Sequence, residues 1–504
     1  MTRALRSPQW LSYSQQLTQA ALATALLVGC ALSEPAAPEP AVMSPSGASG
    51  IDGSPDAGAV GAMAGMGAPD PGIFPPDFPD ASKGFVSGDF NDMEVDQFLT
   101  LSPLPDVPPD PTNAFADLPA AALLGQKLFF DPRASGPLKV ASDLGAVGET
   151  GKVACVTCHW GKYMDDQRSS PLNVSLGTDF HARNALTTIN SSFYRWTNWG
   201  GRFSAQWELS LAVAENGAIV NSSRLAVAHL VFDNYKSDYE AIFGAMDEAI
   251  GTNAARFPAT GKPAAAGAPA GDWETMQAHD QALVNAIFVN YGKAIEAYLR
   301  RLVSRNAPFD QFVAGAEAVI SPEAKSGLKL FVGRARCVSC HYGPQLSDNK
   351  FHNLGIAQQG AHVPASDTGR YKDISPLLAS PFNSAGLFSD APDTGRLSGL
   401  TDPPPEETLG QFRTPSLRGV ALTAPYMHAG QLNTLDDVMN FYDHGGTVPA
   451  QGVKDPLLTR LYLSDQDKRD LVAFMETLTG DPVPAALLQD QFAPVTPMDH
   501  VGPW

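Results

Sequence analysis

Two short runs hold nearly all of this chain's cysteine. Residues 152–161 read KVACVTCHWG and residues 334–343 read RARCVSCHYG. Cys155, Cys158 and His159, and again Cys337, Cys340 and His341, therefore form Cys-x-x-Cys-His; the remaining cysteine is Cys30. A structural zinc site needs four ligands at matched spacing, whereas these two pairs lie far apart and each is followed directly by a His. Cys-x-x-Cys-His is instead the attachment pattern of a c-type haem. Two thiols bond to the porphyrin edge, and the next residue turns its imidazole onto the iron. Two such motifs predict two covalently bound haem c groups.

Helices must position these motifs. AALLGQKLFFDPR (121–133) precedes the first, and AKSGLKLFVGRARC (324–337) runs into the second. Both carry a helical apolar pattern that ends in Leu-Phe before the cysteines, a faint internal repeat. DQALVNAIFVNYGKAIEAYLRRLV (280–303) reads as a long amphipathic helix. Thr434 with Asp437, and Ser464 with Asp467, fit a hydroxyl cap with an acid three residues on, so a helix should start at each. Strand-like alternation is scarce. The expected fold is mainly α, two cytochrome c-type haem domains packed together with long loops, the first at 116–305 and the second at 306–480.

The ends read differently. Arg3 and Arg6 precede an apolar run from Ala20 to Gly29 that closes on Cys30. That is too short to span a bilayer and reads as a secretory signal over 1–30, with Cys30 as a lipidation site. Residues 31–115 are rich in Ala, Pro and Gly with few large apolar groups, which predicts a disordered tether; 481–504 is expected to be a tail. The implied location is the periplasm or cell envelope, lipid-anchored, with Ala31 after the cysteine leaning towards the outer membrane. A formal net charge of −19 disfavours nucleic acid and suits a protein partner with a basic face.

With these motifs on the page, the chain resembles the bacterial di-haem cytochrome c peroxidases and their relative MauG, over about Pro119 to Gly480. The matching stretches are LGQKLFFDPRASG, CVTCH, RNALTTINSSFYRWTNWGGR, CVSCHYGP, FHNLGI, FRTPSLRGVALTAPYMHAG, TLDDVMNFYDHGG and LSDQDKRDLVAFMETLTG. The resemblance implies that hydrogen peroxide reacts at the haem of Cys155, Cys158 and His159. The haem of Cys337, Cys340 and His341 would store or relay electrons from a donor cytochrome or a protein substrate. It places Trp199 between the haems as a redox relay, with a core aromatic as the plain alternative. It also implies a calcium ion held by Asn184 and by carbonyls in the run Arg413 to Pro415, uncharged oxygens that suit a hard cation. His428 would lie near the haem site.

Two positions leave the chemistry open. By the resemblance, Tyr442 falls where MauG-like proteins place a ligating tyrosine on the second haem. Met439, three residues earlier on the same helix face, is its rival, and a packed aromatic with no ligand role is the third reading. A thioether raises a haem potential, whereas a phenolate favours higher iron oxidation states. The family's acid/base glutamate corresponds to Ile219, in NGAIVN, and an isoleucine moves no proton. Glu215 is the substitute if its loop is rearranged. His181 is a gate on the iron, a distal acid/base or an exposed loop residue. The expected activity is therefore peroxidase-like oxidoreduction, with lipid-tethered electron transfer without peroxide turnover as the alternative.

Overall fold

The computed structural model describes residues 89–166, 174–393 and 395–491. Cys30, the expected signal and residues 31–88 lie outside them, as do residues 492–504. The longer helices are α1 (Asp92–Leu99), α2 (Pro119–Phe130), α3 (Gln206–Glu215), α4 (Arg224–Phe243), α5 (Ala278–Leu299), α6 (Pro308–Val313), α7 (Pro322–Val332), α8 (Arg370–Ala379), α9 (Leu435–Asp443) and α10 (Asp465–Glu476). Strand structure is slight: Phe351–His352 pairs antiparallel with Phe412–Arg413. The expected mainly helical fold is found. No helix among the described residues is long and apolar enough to cross a membrane.

Two hydrophobic cores carry the helices. One draws on α2, α3, α4 and α5 through Leu128, Phe129, Trp207, Leu211, Val231, Phe288 and Tyr298. The other joins α7 and α10 through Leu328, Phe331, Leu471 and Phe474, with Val438 and Met439 of α9. Each fully buried Leu or Phe contributes about 1.5–3 kcal/mol, so these faces outweigh any local propensity. The faint repeat has a packing meaning. A Cβ on Gly125 of α2 would stand 1.8 Å from the Ala294 carbonyl oxygen of α5, and one on Gly327 of α7 would stand 1.9 Å from that of Asp470 of α10. In GQKLFF and GLKLFV these glycines are equivalent. Only a residue without Cβ lets the helix leading to each motif lie on its neighbour's backbone.

The helix starts follow their caps. Thr434 and Ser464 each accept from the backbone N–H three residues on, at 3.1 Å, and Asp437 and Asp467 reach back to the cap N–H. The expected tether, however, ends earlier than 115. Asn91 and Glu94 form a capping box on α1, and Phe90 and Phe98 pack on Phe312 at 6.0 and 5.9 Å. Ordering entropy loses there because FNDMEVDQFL, unlike the Ala/Pro/Gly run, has aromatic surface to bury. The expected tail is likewise packed at its start. Val483 is buried in the first core, Gln126 Nε2 donates to the carbonyls of Ala486 and Gln489, and the Tyr298 hydroxyl donates to that of Leu487. The segment before the first core thus packs on the second, and the segment after the second packs on the first.

A long excursion, residues 360–410, also joins the two cores. Phe382 and Phe388 pack on the first core. Arg183 is gripped by Asp367 and Asp373 at 2.7 and 2.9 Å, all three side chains at most 5% exposed. Arg370 donates to the carbonyls of Gly200 and Gly201, between the rings of Trp196 and Phe351. Nothing periodic in the sequence marks this seam.

Candidate functional site: the two motifs, two cavities and the seam

Each motif forms a single 3-10 turn, at Cys155–Thr157 and Cys337–Ser339, in which the backbone N–H of the following His bonds the carbonyl of the first Cys at 3.0 and 2.9 Å. Burial pushes the Cys155 and Cys337 thiols up to about 12. A redox-active dithiol needs the opposite shift, so thiol exchange is not what these pairs are built for.

The second motif opens on a large apolar cavity lined by Cys337, Cys340 and His341, with Tyr442 and Met439 on its α9 wall. His341 Nδ1 lies 2.9 Å from the Leu346 carbonyl oxygen. A carbonyl only accepts, so Nδ1 carries the proton and Nε2 is left as a lone-pair donor, the tautomer an iron ligand needs. Met439 is nearly fully buried in the core. Tyr442 is half-buried against that core, and burial raises its phenol above the ordinary tyrosine range. Both α9 candidates therefore face the cavity. Beside it, His352 is clamped by Asp348 and Asp455 at 2.8 and 2.6 Å. Burial opposes its charge, but Asp348 and the Cys340 sulfur together outweigh burial, and the imidazole is pushed up to about 11.

The seam brings together residues far apart in the chain. Trp199 Nε1 donates to the Asn184 carbonyl at 2.7 Å, and Arg413 N donates to the Trp199 carbonyl at 2.7 Å. Asn184 N bonds the His428 carbonyl at 2.8 Å, and its Nδ2 bonds that of Pro425 at 3.1 Å. Asn184 Oδ1 is buried with no hydrogen-bond partner among the described residues. An orphaned carbonyl-type oxygen, on the same cavity as Arg413 and Pro415, fits a hard cation. His428 is stacked on Phe412 at 3.7 Å with its Nε2 held by Gln358, and burial drives it down to about 3. It is a neutral ring on the cavity wall.

The first motif is more enclosed. His159 packs beside Phe129, its Nδ1 has no partner among the described residues, and burial lowers it to about 4. Cys158 Sγ lies 3.7 Å from the Leu176 carbonyl oxygen. Cys155 and Val156 pack on the first core. That core's Leu211, Phe288 and Phe382 also wall a second cavity, which His181 and Ile219 line; the motif's own three residues are not part of that lining. His181 Nδ1 is 3.1 Å from the Arg183 carbonyl oxygen. Glu215 reaches the same cavity, but Arg224 clasps both its oxygens at 2.9 Å.

One cavity residue escaped the sequence reading. Glu208 of α3 is 2% exposed, and its Oε2 accepts from Ser204 N at 3.0 Å and from Ser204 Oγ at 3.3 Å. Burial raises this carboxyl to about 7. An acid inside QWELSLAVAE was the only signal available, and it reads equally as a solvated helix charge.

Comparison with known proteins agrees with this arrangement. The family pattern "Di-haem cytochrome c peroxidase" matches residues 119–318. The chain is 33% identical over 397 residues to the cytochrome-c peroxidase IdrP1 of Denitromonas iodatirespirans, covering 76% of this chain and 87% of that protein. It is 27% identical over 377 residues to the methylamine utilization protein MauG of Methylorubrum extorquens, covering 74% and 81%. In fold it is similar to a MauG-like protein associated with microbial copper homeostasis (TM-score 0.53, 24% identity, 77% and 98% covered). It is likewise similar to the diheme peroxidase BthA of Burkholderia thailandensis (TM-score 0.51, 19% identity, 77% and 93% covered). Two Cys-x-x-Cys-His turns, each behind a glycine-packed helix, together with this identity over most of both chains, place the chain in the di-haem cytochrome c peroxidase family.

Proposed function

We propose that this chain is an exported, lipid-anchored di-haem c-type oxidoreductase of the cell envelope, with both haems bound covalently through the four motif cysteines. When bound, the haems supply the redox chemistry, one reacting with hydrogen peroxide at His159 and the other passing electrons at His341. Residues 116–305 form the peroxidatic half and 306–480 the electron-transfer half. The observation that carries this reading is Trp199. Its indole donates to the carbonyl of Asn184 while its backbone carbonyl accepts from Arg413 N, so the ring is fixed on the wall of the second motif's cavity. A fixed aromatic there suits electron or hole transfer. Tyr442 would supply a further ligand to the second haem, Asn184 Oδ1 would hold calcium, and a cytochrome or a protein side chain would give up the electrons.

A second reading has an observation of its own. His181 and Ile219 line the second cavity together, and by the family resemblance Ile219 stands where an acid would, which favours electron transfer without peroxide turnover. Low-temperature electron paramagnetic resonance on oxidised and half-reduced holoprotein, followed by peroxide titration, separates them. A high-spin ferric signal and peroxide consumption are expected. Two low-spin signals in both states with no peroxide consumed would establish the second reading instead.

A further inference from the structure

Val448, Val453 and Tyr462, at 90%, 77% and 76%, are the three most exposed large apolar side chains among the described residues. All three lie in the run 444–462, between α9 and α10. That run edges the second motif's cavity. Pro449, Ala450, Leu457 and Leu461 belong to the lining, whereas Val448, Val453 and Tyr462 do not. Filling the cavity therefore leaves these three side chains uncovered.

The charge around them runs against that of the whole chain, whose formal net charge is −19. The acids of 444–468 are all engaged: Asp455 by His352, Asp465 by Lys468 and Asp467 by Arg334. Arg336, Lys454 and Arg460 have no ion-pair partner among the described residues, and the backbone draws them together. Lys454 Nζ donates to the Gly445 carbonyl at 2.8 Å, a Cβ on Gly445 would stand 2.8 Å from Arg460 N, and Arg336 donates to the Thr459 hydroxyl. We propose that this face, three unpaired cations around Val448, Val453 and Tyr462, docks a redox-partner protein whose contact face is acidic with an apolar centre. The inference rests on the reading of 306–480 as the electron-transfer half. At this surface it replaces the basic-faced partner that net charge alone suggests.

Tyr462 supplies an independent observation. Its φ is +56°, a left-handed backbone that bulky residues avoid. Its neighbours impose it: Leu461 N bonds the Asp443 carbonyl at 3.1 Å, and Leu463 N bonds the Asp443 carboxylate at 2.7 Å. Both leucines pack on the second core, and the ring between them is left outside. Folding would be better served there by Gly or Asn. Arg460 lies over the ring at 5.0 Å, which ties a cation to the aromatic. Tyr and Arg are the types that carry most of the energy at protein interfaces, with charge at the rim and apolar groups at the centre.

Screening decides which charge an arriving partner feels. At about 0.1 M salt, fields die within about 10 Å, so a protein approaching this face meets the three cations rather than the distant acids. Each encounter passes one electron from the reduced partner across the cavity mouth, with no bond made or broken. Two encounters supply the two electrons that one hydrogen peroxide takes up, with two protons, to give two waters.

The test mixes oxidised holoprotein with reduced flavodoxin, a small acidic one-electron carrier, in anaerobic stopped flow, and follows haem reduction. The wild-type rate should fall by at least about tenfold between about 10 mM and about 300 mM salt. Lys454→Glu with Arg460→Glu should reverse that slope. Tyr462→Asn, which suits the left-handed backbone, should melt no lower than wild type and yet slow the reaction about tenfold. A wild-type rate that rises with salt, as a net charge of −19 by itself demands, would overturn the docking surface. So would a double variant within about twofold of wild type at every salt concentration. Should the double variant fail to take up haem, zero-length carbodiimide coupling of wild-type holoprotein to flavodoxin decides. A cross-link at Lys454 is expected; none there, or links only between two copies of this chain, would overturn the proposal. Haem reduction needs no peroxide, so a holoprotein that consumes none would sink the peroxidase reading and leave this surface standing.

Discussion

Arg183 makes the sharpest test of the seam. Arg183→Met removes a guanidinium 5% exposed and leaves Asp367 and Asp373, at 0% and 4%, inside the protein. Removing one partner of a buried pair costs about 3–5 kcal/mol, because the remaining charge is stranded. Lys372, 43% exposed and 2.8 Å from Asp367, still neutralises one of the two aspartates. Asp373 is left without an ion-pair partner among the described residues. The expected loss is therefore about 3–5 kcal/mol near pH 7. Its pH dependence has a definite sign. Burial alone would raise the Asp367 carboxyl, but Arg183 and then Lys372 hold it well below the ordinary range. A depressed carboxyl contributes stability that is present above the unfolded value and is lost as pH falls through the folded one. The gap between wild type and variant should thus be widest near neutrality and narrow as the pH falls below about 4. Denaturant unfolding of holoprotein followed by far-ultraviolet circular dichroism at both pH values measures it. A loss below about 1 kcal/mol at neutrality, or a gap that widens on acidification, would refute the argument. Adding Asp367→Asn and Asp373→Leu to Arg183→Met should recover most of the loss, since the stranded charges are then gone.

Other expectations follow from single contacts. Tyr442→Met should change the low-temperature resonance spectrum of the second haem and raise its reduction potential in a spectroelectrochemical titration; spectra identical to wild type would show that Tyr442 is not a ligand. A calcium chelator should lower the melting temperature of the wild type, by the equivalent of about 2.7 kcal/mol if the ion was present at a hundred times its Kd. Asn184→Ala should melt lower from the start and ignore the chelator, and an equal chelator shift in both proteins would remove the ion from Asn184. Gly125→Ala drives a methyl into the Ala294 carbonyl of α5 and should cost about 2–3 kcal/mol in denaturant unfolding. Gly271→Ala, with nothing nearer than 3.7 Å, should stay within about 0.5 kcal/mol of wild type, and equal effects at both glycines would sink the packing account.

Much of the candidate site was legible because its signal is local. Cys-x-x-Cys-His needs only five consecutive residues to declare its chemistry, and the capped starts of α9 and α10 need four. The α5 helix showed itself by periodicity alone. What escaped was anything decided by distance in the chain. Residues 89–115 look like an extension of the Ala/Pro/Gly run until Phe90 and Phe98 find Phe312, more than two hundred residues away. Glu208 and Glu215 both sit on α3 and cannot be ranked by sequence. Only the packing shows that Arg224 takes one and leaves the other to serine hydroxyls.

The sequence by itself determined the two Cys-x-x-Cys-His runs, the family they point to and their mainly helical supports, since such motifs and helix caps act between neighbours. The tertiary structure alone decided where Trp199 stands, which oxygen of Asn184 is left without a donor among the described residues, and which acid of α3 meets a cation. Those properties depend on desolvation and on partners drawn from both halves of the chain, and neither exists until the halves have packed together.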